Sequence, residues 1–229
     1  MGEKMEKLRV MYSKSKEAIY LSHLDMIKVF ETALARAGVL VEYSNGFNPR
    51  PELVFAHPLS VGIESTGEIF EVNLTEALEI PYFIREVNKV LPSGVTVLSA
   101  EYVDKDSKNI MSRVYAATYV IDLVYSEEKI KSLNKRELED LKDYYQRKME
   151  EYLSQDNILV LKKTKERSER IDIRPFIIVF DFTLDRGLEI TVSTGSRDNL
   201  KPDMIMAGYE EFIDEKIDYH VKRTKILFN

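Results

Sequence analysis

The stretch Tyr43–Glu68, YSNGFNPRPELVFAHPLSVGIESTGE, holds the densest set of residues that could do chemistry. Gly, Pro, Asn, Arg and aromatic residues fall there at positions that periodicity does not explain. It is either an elaborate connection between two strands or an ordered functional loop, and long ordered loops are commonly functional. Ser44, Asn45, Asn48 and Arg50 are donors suited to a phosphate or a carboxylate. Phe47 either stacks on a base or plugs the core. Within the same stretch, His57 precedes Pro58 and reads as a structural turn residue.

Ser22-His23-Leu24-Asp25 is the second candidate. One reading is a helix cap, in which Ser22 accepts a backbone N–H and Asp25 answers the macrodipole. The other makes His23 a general base or an anion ligand at a helix N-terminus. The third candidate is basic. Lys162–Arg174, KKTKERSERIDIR, carries six cationic side chains, Lys162, Lys163, Lys165, Arg167, Arg170 and Arg174, against Glu166, Glu169 and Asp172. His220–Lys225 adds Lys222, Arg223 and Lys225. These are either solvated strand ends with a mobile loop, or a phosphate-contacting rim that positions a backbone without reading sequence. The Gly195–Pro202 loop could complete that rim.

The elements that must position these residues follow from periodicity. Leu8–Tyr12 suits a strand. Leu24, Ile27, Phe30, Leu34 and Ala37 recur at helical spacing after the Ser-x-x-Asp start, and Gly38 is placed to end that helix. Val39–Tyr43 is a strand candidate, Ser44–Pro51 a loop, and Leu53–Ala56 and Ile69–Leu74 further strands. Pro81 opens a second helix through Phe83, Val87 and Val90, which Leu91-Pro92 ends. Val95–Tyr102 is the last strand of the first half. The order is that of a split βαβ, ferredoxin-like unit. Asp104–Arg113 is polar, lacks periodicity and reads as a linker. Beyond it the order repeats: a strand at Val114–Tyr125, a helix at Asn134–Leu153, and a strand beginning at Ile158–Leu161. A hairpin of Phe176–Phe182 and Leu188–Val192 follows, then a helix at Pro202–Ile213 and a strand at Tyr219–Phe228. The expected fold is therefore α+β, with two tandem ferredoxin-like (βαββαβ) domains over 1–103 and 114–229 and a linker at 104–113.

Composition narrows the chemistry. The 229 residues include no cysteine and three histidines, so disulfides, thiolate metal sites and cysteine nucleophiles are excluded. His-x-His and His-x-x-x-His spacings are absent, so neither metal nor cofactor is expected. There is no GxxxxGK[ST], GxGxxG after the first strand, HExxH or GxSxG. Nucleotide hydrolysis, hydride transfer and serine hydrolysis thus lack motif support. The net charge of −6 argues against coating nucleic acid by bulk electrostatics. Residues 1–112 carry 12 Lys and Arg against 16 Asp and Glu, and residues 113–229 carry 21 against 23. Any nucleic-acid site must therefore be a patch. Apolar runs are far too short to span a bilayer and MGEKMEKLRV has no apolar signal core, so a cytoplasmic protein is expected.

The runs YLSHLDMIKVFETALARA at 20–37, YSNGFNPRP at 43–51 and FAHPLSVGIESTGE at 55–68 resemble the uncharacterised radical-SAM-linked domain family. The matching residues are Ser22, His23, Leu24 and Asp25, then Arg36 and Ala37, then Tyr43, Ser44, Gly46, Phe47, Asn48 and Pro49. Pro58, Leu59, Gly62, Ser65, Gly67 and Glu68 complete the pattern. The second half agrees through Ile171-Asp172-Ile173-Arg174-Pro175. The resemblance implies a domain of unknown function joined to, or encoded beside, a B12-binding radical SAM protein. This chain lacks the three-cysteine cluster motif, so the radical chemistry would belong to the partner. A topological likeness also exists to the tandem ferredoxin-like RNA endonucleases that process CRISPR repeats, some of which use an early histidine.

An accessory protein is therefore expected, one that binds or presents structured RNA, tRNA or rRNA, to a radical SAM partner. The alternatives are a metal-independent RNA endonuclease using His23, and a protein-interaction scaffold. The binding residues expected are Ser22, His23, Asp25, Arg36, Tyr43, Ser44, Phe47, Asn48, Arg50, Ser65, Glu68, Arg170, Asp172, Arg174 and Arg223.

Overall fold

The computed structural model describes residues 6–163, 168–183, 187–195 and 198–229. Thr164–Arg167 of the basic run, Leu184–Arg186 of the expected hairpin turn, and Ser196 and Arg197 lie outside the described residues. The chain is mixed α/β, with a large and mostly antiparallel main sheet and six α-helices among the described residues. It divides into two compact units, Met1–Ala116 with Lys222–Asn229, and Ala117–Val221.

In the first unit, β1 (Glu6–Lys14) alternates strictly, and Leu8, Val10, Tyr12 and Lys14 all point inward. α1 (His23–Arg36) buries Met26, Phe30, Ala33 and Leu34 at helical spacing. Gly38 stops it in the left-handed region at φ +70°, and the Val39 N–H returns to the Leu34 carbonyl at 3.0 Å. β2 (Leu53–Phe55) and β3 (Glu64–Leu74) are antiparallel neighbours. α2 (Ile80–Val90) carries Pro81 in its first turn and buries Phe83 and Val87. β4 (Val95–Val103) closes the far edge. The strand order is β4-β1-β3, with β2 also on β3, and each of these pairs is antiparallel. Tyr12, Phe30, Phe55 and Phe70 form the aromatic centre of the core, with ring centroids 4.5 Å apart for Phe30 and Phe70.

Two expectations differ from what is observed. Val39–Tyr43 is not a strand. It makes the isolated bridges Val41–Leu74 and Tyr43–Pro51, and the chain bends back over residues 45–48 before a ladder can extend. Asp104–Arg113 is tied to the first unit. Lys7 Nζ donates to the Ser107 carbonyl at 3.3 Å, and Lys105 pairs with Glu42. The segment ends in a single helical turn, α3 (Ile110–Arg113), whose Ile110 is fully buried beside Ala56, Ile69 and Ile226.

The second unit takes β5 (Val114–Val124) from Ala117 onward, and β5 leads through α4 (Glu127–Ser132) to α5 (Lys135–Leu153). α5 opens with an Asn134–Glu137 capping box and buries Tyr145, Met149, Tyr152 and Leu153. β6 (Leu159–Lys163) and β7 (Ser168–Asp172) make a separate two-stranded ribbon. β8 (Ile177–Phe182) and β9 (Leu188–Ser193) pair antiparallel. α6 (Pro202–Ile213) packs on α5, where the Tyr209 hydroxyl donates to the Tyr145 carbonyl at 2.9 Å. β10 (Asp218–Phe228) follows, giving the order β10-β5-β9-β8. The part of β10 from Lys222 onward belongs to the first unit, where Lys222 and Arg223 pair in parallel with Glu64 and Ser65 of β3.

Candidate functional site

The start of α1 is a complete capping box. Ser22 Oγ accepts from the Asp25 N–H at 3.2 Å, and the Ser22 N–H donates to Asp25 Oδ2 at 3.1 Å. Ser22 Oγ also donates to Asp25 Oδ2 at 2.6 Å. These bonds from Ser22 hold the Asp25 carboxyl below the usual carboxylate range. Both side chains are thereby committed to the cap. His23, the first helical residue, is half-buried with its ring edge-on to Phe55 at 5.4 Å. Desolvation pushes its pKa down, partly offset by Glu68.

Beside this helix start lies a buried charged cluster. Arg223 is 1% exposed and Glu68 3%. The guanidinium grips the carboxylate in a fork, Nε to Oε1 at 2.7 Å and Nη2 to Oε2 at 2.5 Å. Its remaining donors reach the His57 carbonyl at 2.9 Å and the Pro58 carbonyl at 3.4 Å. Ser65 Oγ donates to the Arg223 carbonyl at 2.9 Å and accepts from the Gly67 N–H at 3.1 Å. Gly67 is required sterically, since a Cβ there would lie 2.3 Å from the Thr224 carbonyl oxygen. In register with this segment on β1 stand Tyr12, opposite Glu68, and Lys14, opposite Ser65. The Lys14 amine donates to the Leu21 carbonyl at 2.7 Å, and burial lowers its pKa. Burial and the Glu68 charge hold the Tyr12 phenol neutral.

His57 completes the group. Burial first, and the Arg223 charge second, lower its pKa to about 4. Near pH 7 both imidazoles are neutral, and His57 stays so well into acid. The Arg223 fork is saturated by Glu68 and two carbonyls, so it is an interior clamp and not part of a phosphate rim. Among the described residues, no group of three or more His, Cys, Asp or Glu could hold a metal ion.

The structure thus gathers Ser22, His23, Asp25, Ser65, Glu68 and Arg223 within the first unit. The loop residues stand apart from this polar network. Ser44 Oγ accepts from the Arg50 N–H at 3.1 Å, and the Ser44 N–H donates to the Arg50 carbonyl at 2.8 Å, closing the loop on itself. Tyr43, Asn48 and Arg50 are exposed, and Phe47 is fully so, with a relative accessibility of 105%. Arg36 is exposed in the last turn of α1. In the second unit, Arg170 pairs with Glu211 and donates to the Leu159 carbonyl at 3.3 Å. Asp172 Oδ1 accepts from the Ile158 N–H at 2.8 Å and from the Arg174 N–H at 3.0 Å. Arg174 in turn donates to the Ile177 carbonyl at 3.1 Å. The Ile-Asp-Ile-Arg-Pro run is therefore a hydrogen-bonded turn. Lys14, Tyr12 and the His57 imidazole are site members that motif reasoning missed. The signal for Lys14 was its place on the inward period of β1.

No functionally curated protein matches the chain. Among solved structures, an unknown protein from Galdieria sulphuraria aligns at 12% identity over 96% of this chain and 99% of its own. Its TM-score of 0.27 is too low to carry an argument. A bacterial family profile matches residues 7–202, the span that includes the capping box, the loop and the Glu68 segment. The chain belongs to the family described as "Uncharacterized protein conserved in bacteria (DUF2344)".

Proposed function

We propose that the chain is an accessory protein that binds structured RNA, tRNA or rRNA, through the Asn45–Arg50 loop and presents it to a radical SAM partner in the cytoplasm. The observation that carries the reading is Phe47. A buried phenylalanine would contribute about 1.5–3 kcal/mol to the core, yet this one stands wholly in solvent. Plugging the core is thereby removed as its role. An exposed ring flanked by Asn45, Asn48 and Arg50 suits stacking on an unpaired base, which is worth about 1–3 kcal/mol, with the guanidinium on a neighbouring phosphate. The radical SAM partner rests on the sequence resemblance, and the absence of cysteine leaves cluster chemistry to that partner. The strand orders β4-β1-β3-β2 and β10-β5-β9-β8 support the reading of each unit as ferredoxin-like.

Titration with labelled tRNA at several salt concentrations tests this. Arg50 is the exposed cation of the loop itself, so the loop contributes about −1 to the slope of log affinity against log salt. Phe47→Ala weakens binding. Absence of salt-dependent binding by the wild type overturns the reading and leaves a protein-interaction scaffold. A second reading, a metal-independent RNA endonuclease, is favoured by the neutral, half-exposed His23 beside His57. His23→Ala separates the two, abolishing strand cleavage under that reading and leaving affinity intact under presentation.

A further inference from the structure

The second unit contains a cavity of about 170 Å³ that the RNA-presenting loop does not use. Tyr125, Tyr145, Met149 and Phe182 supply its walls. The two tyrosine rings lie 5.9 Å apart and inclined at 39°. The Tyr145 hydroxyl donates to Glu215 and accepts from Lys129, so that ring offers the cavity carbon and not its polar tip. Two polar side chains on the lining, Asp122 and Gln146, have no hydrogen-bond or ion-pair partner among the described residues. Gln146 is half-buried. One Asp122 carboxylate oxygen rests over Gly187, where a Cβ would come within 2.2 Å of it. The glycine therefore leaves room for the carboxylate on the cavity wall.

We infer that this cavity binds a flat aromatic heterocycle bearing N–H donors, of the nucleobase class. A carboxylate only accepts, so the ligand must donate to Asp122, and the Gln146 amide can both donate and accept along the same polar edge. The aromatic and thioether walls suit the faces of a ring. A simple cation fits less well, because the Tyr145 ring already carries the Lys129 ammonium 5.4 Å from its centroid and Lys142 also lines the cavity. The volume is below the roughly 300–1,000 Å³ of sites for drug-sized ligands, so it admits one ring system and excludes a dinucleotide.

The test is titration of the full chain with adenosine, cytidine, guanosine and uridine, with inorganic phosphate as control. Tyrosine fluorescence serves as the signal in a chain without tryptophan. At least one nucleoside saturates at millimolar concentration and phosphate does not. Asp122→Asn weakens that binding at least about tenfold. Gly187→Ala weakens it comparably by displacing the carboxylate while keeping its charge. Asp122→Asn retains the wild-type melting temperature because the side chain is exposed, and in Gly187→Ala the atom that moves furthest is the end of that same side chain, with Thr183 Oγ1 at 3.2 Å giving by a few tenths of an ångström. Labelled tRNA distinguishes the sources of the ring. Binding lost in Asp122→Asn marks a base within a strand, whereas tRNA indifferent to that change, with nucleoside binding intact, marks a free nucleoside. Failure of all four nucleosides to saturate, or full binding in both variants, overturns the inference. Neither result bears on Phe47→Ala, which tests the loop alone.

Discussion

Glu68→Gln is the perturbation that tests the interior clamp most directly. It keeps the side-chain shape, removes one negative charge, and sets an NH2 group against a guanidinium nitrogen that now has an acceptor at 2.5 Å. Arg223 would remain 1% exposed, keeping the His57 and Pro58 carbonyls but losing its charged partner. Leaving a buried charge uncompensated costs about 3–5 kcal/mol. The paired change Glu68→Leu with Arg223→Met removes both charges and costs far less, within about 2 kcal/mol, because apolar replacement of a buried ion pair is often near neutral. The remainder is the loss of Arg223's bonds to the two carbonyls. The coupling across the double-mutant cycle should therefore reach at least about 2 kcal/mol. Urea denaturation followed by circular dichroism supplies the energies, and amide exchange on β3 and β10 assigns the transition to the first unit. A Glu68→Gln cost below about 1 kcal/mol, or single-variant costs that simply add, would refute the clamp.

Phe47→Ala and Arg50→Ala should leave the melting temperature unchanged, because both side chains are exposed, while lowering RNA affinity by about five- to a hundredfold and about one unit of salt slope respectively. Gly67→Ala should destabilise the first unit by about 1–3 kcal/mol or more, by driving a Cβ into the Thr224 carbonyl, and faster exchange of β10 amides would register it. Stability should fall with acid between pH 6.5 and about 4. The His57 imidazole titrates near 4 folded against 6.5 unfolded, so the unfolded chain binds more protons in that window and the stability present above 6.5 is lost on descending it. Discounted for the ring's partial exposure, the loss is about 1–2 kcal/mol, and it should vanish from the pH profile of His57→Asn.

Local patterns in the sequence were legible where one element determined them. The Ser22–Asp25 box, the stripe through Phe30 and Leu34, Gly38 and the Pro81 start all require only neighbours along the chain. Val39–Tyr43 misled because its apolar alternation fits a strand, whereas the bend at residues 45–48 decides how far a ladder extends. β7, the partner that makes a ribbon of β6, and α4 went unread, since neither has a long periodic face to signal it. The role of Arg223 was illegible for a different reason. Its neighbours Lys222 and Lys225 make it look like part of a basic run, and only pairing with β3, more than 150 residues away, turns it inward.

That inward turn decides which motif residues are free to meet a ligand. Ser22 and Asp25 satisfy each other and the helix start, while Ser65, Gly67 and Glu68 hold β10 against β3. Recruiting any of these to a ligand would first break a buried partnership, at a cost comparable to the whole gain from one new charged hydrogen bond, about 1.5–3 kcal/mol. His23, His57 and the loop tip from Asn45 to Arg50 carry no such cost. The two imidazoles are neutral and half-exposed, and Phe47 and Arg50 stand in solvent. The motif therefore separates into a scaffold, which fixes the start of α1 beside β3 and the end of β10, and a smaller set of groups available for contact. Substitutions in the first set should act through stability, and those at Phe47 and Arg50 through binding alone.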